Sequence, residues 1–260
     1  MGYSTTMRIS TLIVLVTLLF TAGCGLLPEQ IDETRDWSAD RLYSEAKAAL
    51  DEGDYEQAIK YYEKLEARFP FGRYAQQAQL EIIYAYYKFE EPASAIAAAD
   101  RFIKLHPRHP SVDYAYYMKG LSNYTRDLSF LQRYLPRDAS QIDPGAARQS
   151  FQDFNELLLR FPESKYAPDA RQRMLFLRNN LAQYELNVAD YYMRRGAYVA
   201  AANRAQYVVA NYPRTPSVPD ALAVLAEAYK KMGMDDLAAD ALRVLEANQP
   251  DQPATETANP

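Results

Sequence analysis

Apolar side chains recur at helical spacing along most of the chain, and glycine and proline interrupt them at regular intervals. After Gly53, the residues Tyr55, Ile59, Tyr62 and Leu65 fall on one face of a helix, with charged residues between them. That face stops at Phe69-Pro70. The same pattern starts again at Gly196, passes through Tyr198 and Ala201, and stops at Tyr212-Pro213. The two segments align without a gap, as do Gly145 to Pro162 and Gly233 to Pro250. A fifth copy ends at Pro107, with Glu90 at the glycine position. Each part has a physical task. The glycine or its substitute ends a first helix, where a left-handed residue satisfies the last carbonyls. A small residue five positions later (Ala58, Ala95, Ser150, Ala201 or Ala238) lets two helices approach closely. The proline stops the second helix. The segments Pro162-Glu-Ser164 and Pro213-Arg-Thr-Pro216-Ser217 then predict capping serines for the helices that follow.

This pattern resembles the tetratricopeptide repeat (TPR), a helix–turn–helix unit with a small alanine and a closing proline. The spacing from Pro70 to Pro107, and from Pro213 to Pro250, exceeds the usual repeat of about 34 residues. The interval before Pro162 contains an insertion, Thr125 to Asp143. The one before Pro213 contains an extra helical stretch, Asp169 to Leu181. The expectation is an all-α fold, a superhelical array of about five TPR-like repeats over residues 38–250. The repeats end near Pro70, Pro107, Pro162, Pro213 and Pro250 and together form a concave face. The tail, residues 251–260, is rich in Pro, Thr and Asn and is expected to be disordered.

The N-terminus follows a different pattern. Arg8 precedes an almost unbroken apolar run, Ile9 to Phe20, which is short for a bilayer span. Thr21-Ala22-Gly23 and then Cys24 follow. This resembles the bacterial lipoprotein signal, with Thr21 where leucine is commonest. Residues 1–23 then form a signal peptide and residues 24–37 a lipidated tether. Met1 to Thr6 adds nothing to the signal, so Met7 serves equally well as a start. Cys24 is the only cysteine, which excludes a disulfide framework. Its thiol can carry a diacylglycerol, and the freed amine a further acyl chain. At about 0.8 kcal/mol per buried methylene, such chains hold a protein firmly on a membrane. Gly25 follows rather than aspartate, which by resemblance to the lipoprotein sorting rule directs the protein to the outer membrane.

Beyond Cys24 the charge is near −6, against −5 for the whole chain, so nothing draws nucleic acid or anionic lipid from a distance. Catalytic signatures are missing from the sequence: it has no glycine-rich phosphate loop, no Gly-x-Ser-x-Gly and no Cys–His pair. The histidines, His106 and His109, lie between prolines and read as helix-end residues rather than metal ligands. The expectation is a protein that is not an enzyme, with no cofactor beyond the covalent lipid on Cys24. Tyrosine is the conspicuous residue, 22 in all, with clusters at Tyr84, Tyr86, Tyr87 and at Tyr114, Tyr116, Tyr117. Adjacent tyrosines on one helix cannot all face the same way. Most pack between helices, and the rest are left to line a groove suited to peptide.

Several runs are more specific than the repeat spacing. Phe69-Pro-Phe-Gly-Arg-Tyr74, Ile83-Tyr-Ala-Tyr-Tyr-Lys88, Asp100-Arg-Phe-Ile103 and Arg195-Gly196-Ala197 with Asn203-Arg204 resemble the BamD (YfiO/ComL) family, helical TPR lipoproteins of the outer-membrane β-barrel assembly machinery. The resemblance covers the lipoprotein signal and residues 38–250. It implies lipid anchoring at the periplasmic face of the outer membrane. The partners it implies are a BamA-type barrel protein, bound through its POTRA region, the other BAM lipoproteins and unfolded outer-membrane β-barrel proteins. Carried over by position, Tyr62, Phe71, Tyr74 and Tyr87 would receive the C-terminal targeting segment of a barrel precursor. Arg195, Tyr198, Asn203 and Arg204 would meet the barrel component. The alternative is another envelope TPR scaffold lipoprotein, one coordinating peptidoglycan synthesis or polysaccharide export.

Overall fold

The structure, a computed structural model, describes residues 32–126 and 144–248. Cys24 with the expected signal peptide, most of the expected tether, most of the insertion and the tail lie outside the described residues. The chain divides into two units, Met1–Ser38 and Ala39–Pro260. In the first, the Thr34 N–H and hydroxyl both donate to Asp32 Oδ1, at 3.1 and 2.7 Å, and form a local turn.

The second unit contains ten helices among the described residues: α1 (Ala39–Glu52), α2 (Tyr55–Arg68), α3 (Arg73–Lys88), α4 (Pro92–Leu105), α5 (Val112–Thr125), α6 (Gly145–Arg160), α7 (Ala167–Arg194), α8 (Tyr198–Asn211), α9 (Val218–Lys231) and α10 (Asp235–Asn248). They pair as five antiparallel hairpins, and each helix packs on its chain neighbours. In addition α1 packs on α3, α3 on α5 and α7 on α9, all of them first helices of a repeat. First helices that touch one another, while the second helices stand apart, place the first helices on the inner side of the curve.

The four described second-helix ends share one geometry. Phe69, His106, Phe161 and Tyr212 each precede a proline and leave the helical conformation, with φ between −123° and −135°. A proline ring forbids the preceding residue the helical ψ, so the helix must end there. Each still donates its N–H to the carbonyl four residues back, at 2.8 to 2.9 Å. The hairpin turns are equally uniform: Gly53, Gly196 and Gly233 take positive φ, and so does Glu90, at 62°. Glu90 thus fills the glycine role despite its Cβ.

The third repeat departs from the sequence expectation. Gly145 does not end a first helix; it begins α6, which has 16 residues where α2, α4, α8 and α10 have 14. The insertion replaces the tight turn, so no left-handed residue is required. The extra stretch Asp169 to Leu181 is the first half of one continuous helix, α7, of 28 residues. The expected serine caps are also corrected. Ser217 makes no cap hydrogen bond at the first turn of α9, and Ser164 accepts only the N–H of Tyr166, the residue just before α7, at 3.2 Å. Ser217 Oγ reaches Gln183 Oε1 at 3.0 Å and Ser164 Oγ reaches Asp113 Oδ2 at 2.6 Å, so both tie neighbouring repeats together. Asp54, by contrast, accepts the Gln57 N–H at 3.0 Å and caps α2.

The small residues at the repeat alanine position, Ala58, Ala95, Ser150, Ala201 and Ala238, are all buried. At the α5–α6 crossing, Ser150 Oγ donates to the Gly120 carbonyl at 2.9 Å. A Cβ on Gly120 would lie 2.7 Å from the Phe154 ring, so only glycine allows this approach.

Candidate functional site

The first helices of repeats one to three, with the start of α2, enclose an open cleft of about 470 Å3. It is lined by Lys47, Leu50, Asp51, Tyr55, Glu81, Tyr84 and Tyr114. Helical periodicity builds it. Lys47, Leu50 and Asp51 occupy one face of the last turns of α1, and Glu81 and Tyr84 stand three apart on α3. Tyr84 is exposed and Tyr114 half-buried. Tyr86, two residues on, turns away and donates to Glu63 of α2 at 2.6 Å.

Glu81 is the polar centre of this face. One oxygen accepts Tyr43 at 2.9 Å and Gln77 Nε2 at 2.9 Å, and the other accepts Tyr62. Burial, then the hydrogen bond to Glu81, pushes the Tyr62 and Tyr43 phenols well above the ordinary tyrosine range. Both remain neutral donors, so Glu81 is fixed across α1, α2 and α3. A second tyrosine group continues the inner row. Tyr117 stacks on Tyr166 at 4.7 Å and donates to Asp169 at 2.8 Å, and burial with that bond pushes its phenol up to about 12.

The expected receiving residues do not form one surface. Tyr62 has no exposed area; with Ile59 and Leu65 it belongs to the buried stripe of α2, so it supports the cleft from behind. Phe71 is 90% exposed, in the link between α2 and α3 and away from the cleft lining. Tyr74 is half-buried, lies 5.4 Å from the Tyr43 ring and donates to Asp40 of α1. Tyr87 is half-buried on α3 and also outside the lining. Sequence reasoning missed Glu81, Lys47, Asp51 and Tyr55. Glu81 carried a signal: it is a lone carboxylate between Leu80 and Ile82-Ile83.

At the other end, a cleft of about 460 Å3 is lined by Gly196, Ala197, Tyr198, Val199, Ala200, Asn203 and Met232. It brings two expected partner residues, Tyr198 and Asn203, together with the exposed Val199. Arg195 is adjacent, its guanidinium 5.3 Å above the Tyr191 ring. Arg204 is turned inward instead. Its Nη1 lies 2.7 Å from Glu185, whose other oxygen takes Arg148 Nη2 at 2.8 Å. Glu185 is 1% exposed, so a buried carboxylate joins α6, α7 and α8. Its signal in the sequence was weak, because one glutamate among many gives no hint of burial.

His106 packs tilted against Phe102 at 5.0 Å, and His109 packs edge-on against it at 5.2 Å. His106 Nε2 lies 2.8 Å from Gln79 Oε1, and His109 Nδ1 accepts the Ser111 N–H at 3.1 Å. Both therefore belong to the α4–α5 link.

Known proteins match the whole array. The family model described as YfiO, outer membrane lipoprotein, matches residues 35–245. The outer membrane protein assembly factor BamD of Neisseria meningitidis serogroup B is 50% identical over 229 residues, covering 88% of this chain and 86% of its own length. The protein of that name in Vibrio cholerae is 40% identical over 230 residues, 88% of this chain and 94% of its own. A solved tetratricopeptide repeat protein from Parabacteroides merdae covers 82% of this chain and 81% of its own at 12% identity and a TM-score of 0.38, too weak a likeness to argue from. With a family match spanning every helix but the last few residues of α10, and relatives at this identity, the chain belongs to the YfiO family of outer membrane lipoproteins.

Proposed function

We propose that this protein is a lipid-anchored adaptor of outer-membrane β-barrel assembly, held through Cys24 at the periplasmic face. Its first repeats receive the C-terminal targeting segments of unfolded barrel proteins. Its last repeats bind the POTRA region of a BamA-type barrel protein, alongside the other lipoproteins of the machinery. The observation that carries this reading is the 50% identity, over 88% of the chain, to a protein named as an assembly factor. The two clefts support the division of labour. The inner one offers tyrosines and fixed hydrogen-bonding groups to an extended segment, and it is held rigid by Glu81, so little order has to be imposed on binding. The outer one offers Tyr198, Val199 and Asn203 to a folded partner. The adaptor acts without chemistry: it confines client and barrel component to one surface and raises their effective concentration.

The test is a mild-detergent pull-down from outer membranes with photo-crosslinkers at Tyr84, Tyr114, Tyr198 and, as a control, the exposed Leu159 of α6. Expected are barrel precursors from the first two positions and a POTRA-bearing protein from Tyr198. Recovery of cell-wall synthases or export proteins without that barrel protein would reject the reading in favour of a different envelope scaffold.

A further inference from the structure

The hairpin turns at the two ends of the array differ in charge. The first turn reads Asp51-Glu52-Gly53-Asp54-Tyr55-Glu56, with four carboxylates and no basic residue. The fourth reads Arg194-Arg195-Gly196-Ala197-Tyr198, with two cations and no acid. The inner cleft opens beside the acidic turn and draws Asp51 and Tyr55 from it. Its charged groups are Asp51, Glu81 and Lys47, and Lys47 and Asp51 compensate each other at 2.5 Å. Lys60, the first basic residue of α2, likewise compensates Glu56 at 2.6 Å, so the turn keeps an excess of two carboxylates, Glu52 and Asp54. One more observation bears on the ligand. The ammonium of Lys88, from α3, stands 5.7 Å from the centre of the Tyr55 ring, so the aromatic wall of the cleft already receives a cation from the protein itself.

From this juxtaposition we infer that the inner cleft selects segments in which a lysine or arginine stands next to an aromatic residue. The incoming cation takes the place of Lys88 over Tyr55 and faces the excess negative charge of the acidic turn, while its aromatic neighbour packs between Tyr84 and Tyr114. Glu81 holds the tyrosine scaffold and adds negative potential. A segment with glutamate at that position meets like charge on the turn and loses the aromatic contact as well. The inference rests on the reading that this cleft receives client segments, and adds the chemistry by which it chooses among them.

The test uses the full mature chain in detergent and three amidated peptides of one alternating aromatic sequence, with Lys, Gln or Glu beside one tyrosine. Binding is read by fluorescence anisotropy, with a photo-crosslinker at Tyr84 to locate the site. In low salt the Lys peptide is expected to bind about tenfold more tightly than the Glu peptide, and 0.5 M NaCl to bring the two close to parity. Asp51→Asn with Glu52→Gln should cut that preference to about threefold or less. Lys88→Gln should strengthen binding of the Lys peptide about twofold or more, because the internal competitor is gone. Equal capture of all three peptides at Tyr84, or weaker Lys-peptide binding by a folded Lys88→Gln protein, overturns the charge selection alone. No capture of any peptide at Tyr84 removes the client-receiving reading as well.

Discussion

Glu185 allows a quantitative test of what holds the long first helix of repeat four in place. Its carboxylate is buried between two arginines that are each nearly half exposed, Arg148 of α6 at 2.8 Å and Arg204 of α8 at 2.7 Å. The cost of burying the charge falls almost entirely on Glu185, since both guanidinium groups keep contact with water. Removing one arginine leaves the carboxylate a remaining partner. Arg148→Ala or Arg204→Ala should therefore each cost about 1 to 2 kcal/mol, the range of a charge-assisted hydrogen bond with a partly solvated partner. Removing both leaves a buried charge uncompensated, which typically costs about 3 to 5 kcal/mol. The double variant should then lose more than the sum of the singles. In an array of this size about 4 kcal/mol lowers the melting temperature by roughly 10 °C. Glu185→Gln in the double-variant background should recover part of the loss, because a neutral amide is cheaper to bury than an unpaired carboxylate. Thermal and urea denaturation of the five proteins gives every term of the cycle. Strict additivity, or further destabilisation by Glu185→Gln, would refute the account of Glu185 as a charge sustained by two arginines.

Three further outcomes follow from the same structure. Gly120→Ala places a methyl group 2.7 Å from the Phe154 ring and should destabilise by about 1 to 3 kcal/mol despite the better helix propensity of alanine; Phe154→Leu in the same chain should recover part of this, as urea midpoints would show. Tyr62→Ala should cost about 3 to 5 kcal/mol by emptying a core site, whereas Tyr62→Phe, which leaves Glu81 its bonds from Tyr43 and Gln77, should cost about 1 to 2 kcal/mol; equal losses in denaturation would contradict its position. Burial, with a smaller contribution from His109, lowers the His106 pKa in the folded chain, so the unfolded chain binds the proton more readily. That part of the stability is complete above about pH 6.5 and is lost as pH falls from there toward the folded value, and His106→Gln should flatten the melting-temperature profile over this window.

The fold was legible where one residue type has one physical consequence. Pro70, Pro107, Pro162 and Pro213 each forbid helical geometry to the residue before them, and each second helix ends there. Gly145 misled because a glycine at the right spacing signals a turn only if the chain must turn tightly, and the preceding insertion removed that need. Ser164 and Ser217 misled because a serine near a helix start has two uses, and here the neighbouring repeat offered Asp113 and Gln183 as partners. The inner site was harder to read. That aromatic residues would line a groove followed from helical geometry, since Tyr84 and Tyr86 could not share a face. Which tyrosines did so depended on how α1, α2, α3 and α5 converge, and Tyr62, on the apolar stripe of α2, went into the core. Apart from Gln77, one helical turn before Glu81, the partners of Glu81 and Glu185 lie 19 to 38 residues distant in sequence, and no local pattern announces such pairs.

On the proposed reading, an adaptor that holds two partners must keep them from exchanging places, and the repeat architecture supplies the means. Four of the five repeats present the same backbone turn between their helices, held by a residue with positive φ at Gly53, Glu90, Gly196 or Gly233. Because the turn geometry is constant, its charge varies without disturbing the fold. Repeat one spends this freedom on carboxylates and repeat four on arginines. A segment drawn to the acidic turn is repelled by the basic one, so each end gains specificity from what it rejects as much as from what it binds. The buried carboxylates stiffen each end separately. Glu81 locks the first three helices and Glu185 locks α6, α7 and α8, so both clefts stand on rigid supports and the array orders little of its own chain when it binds.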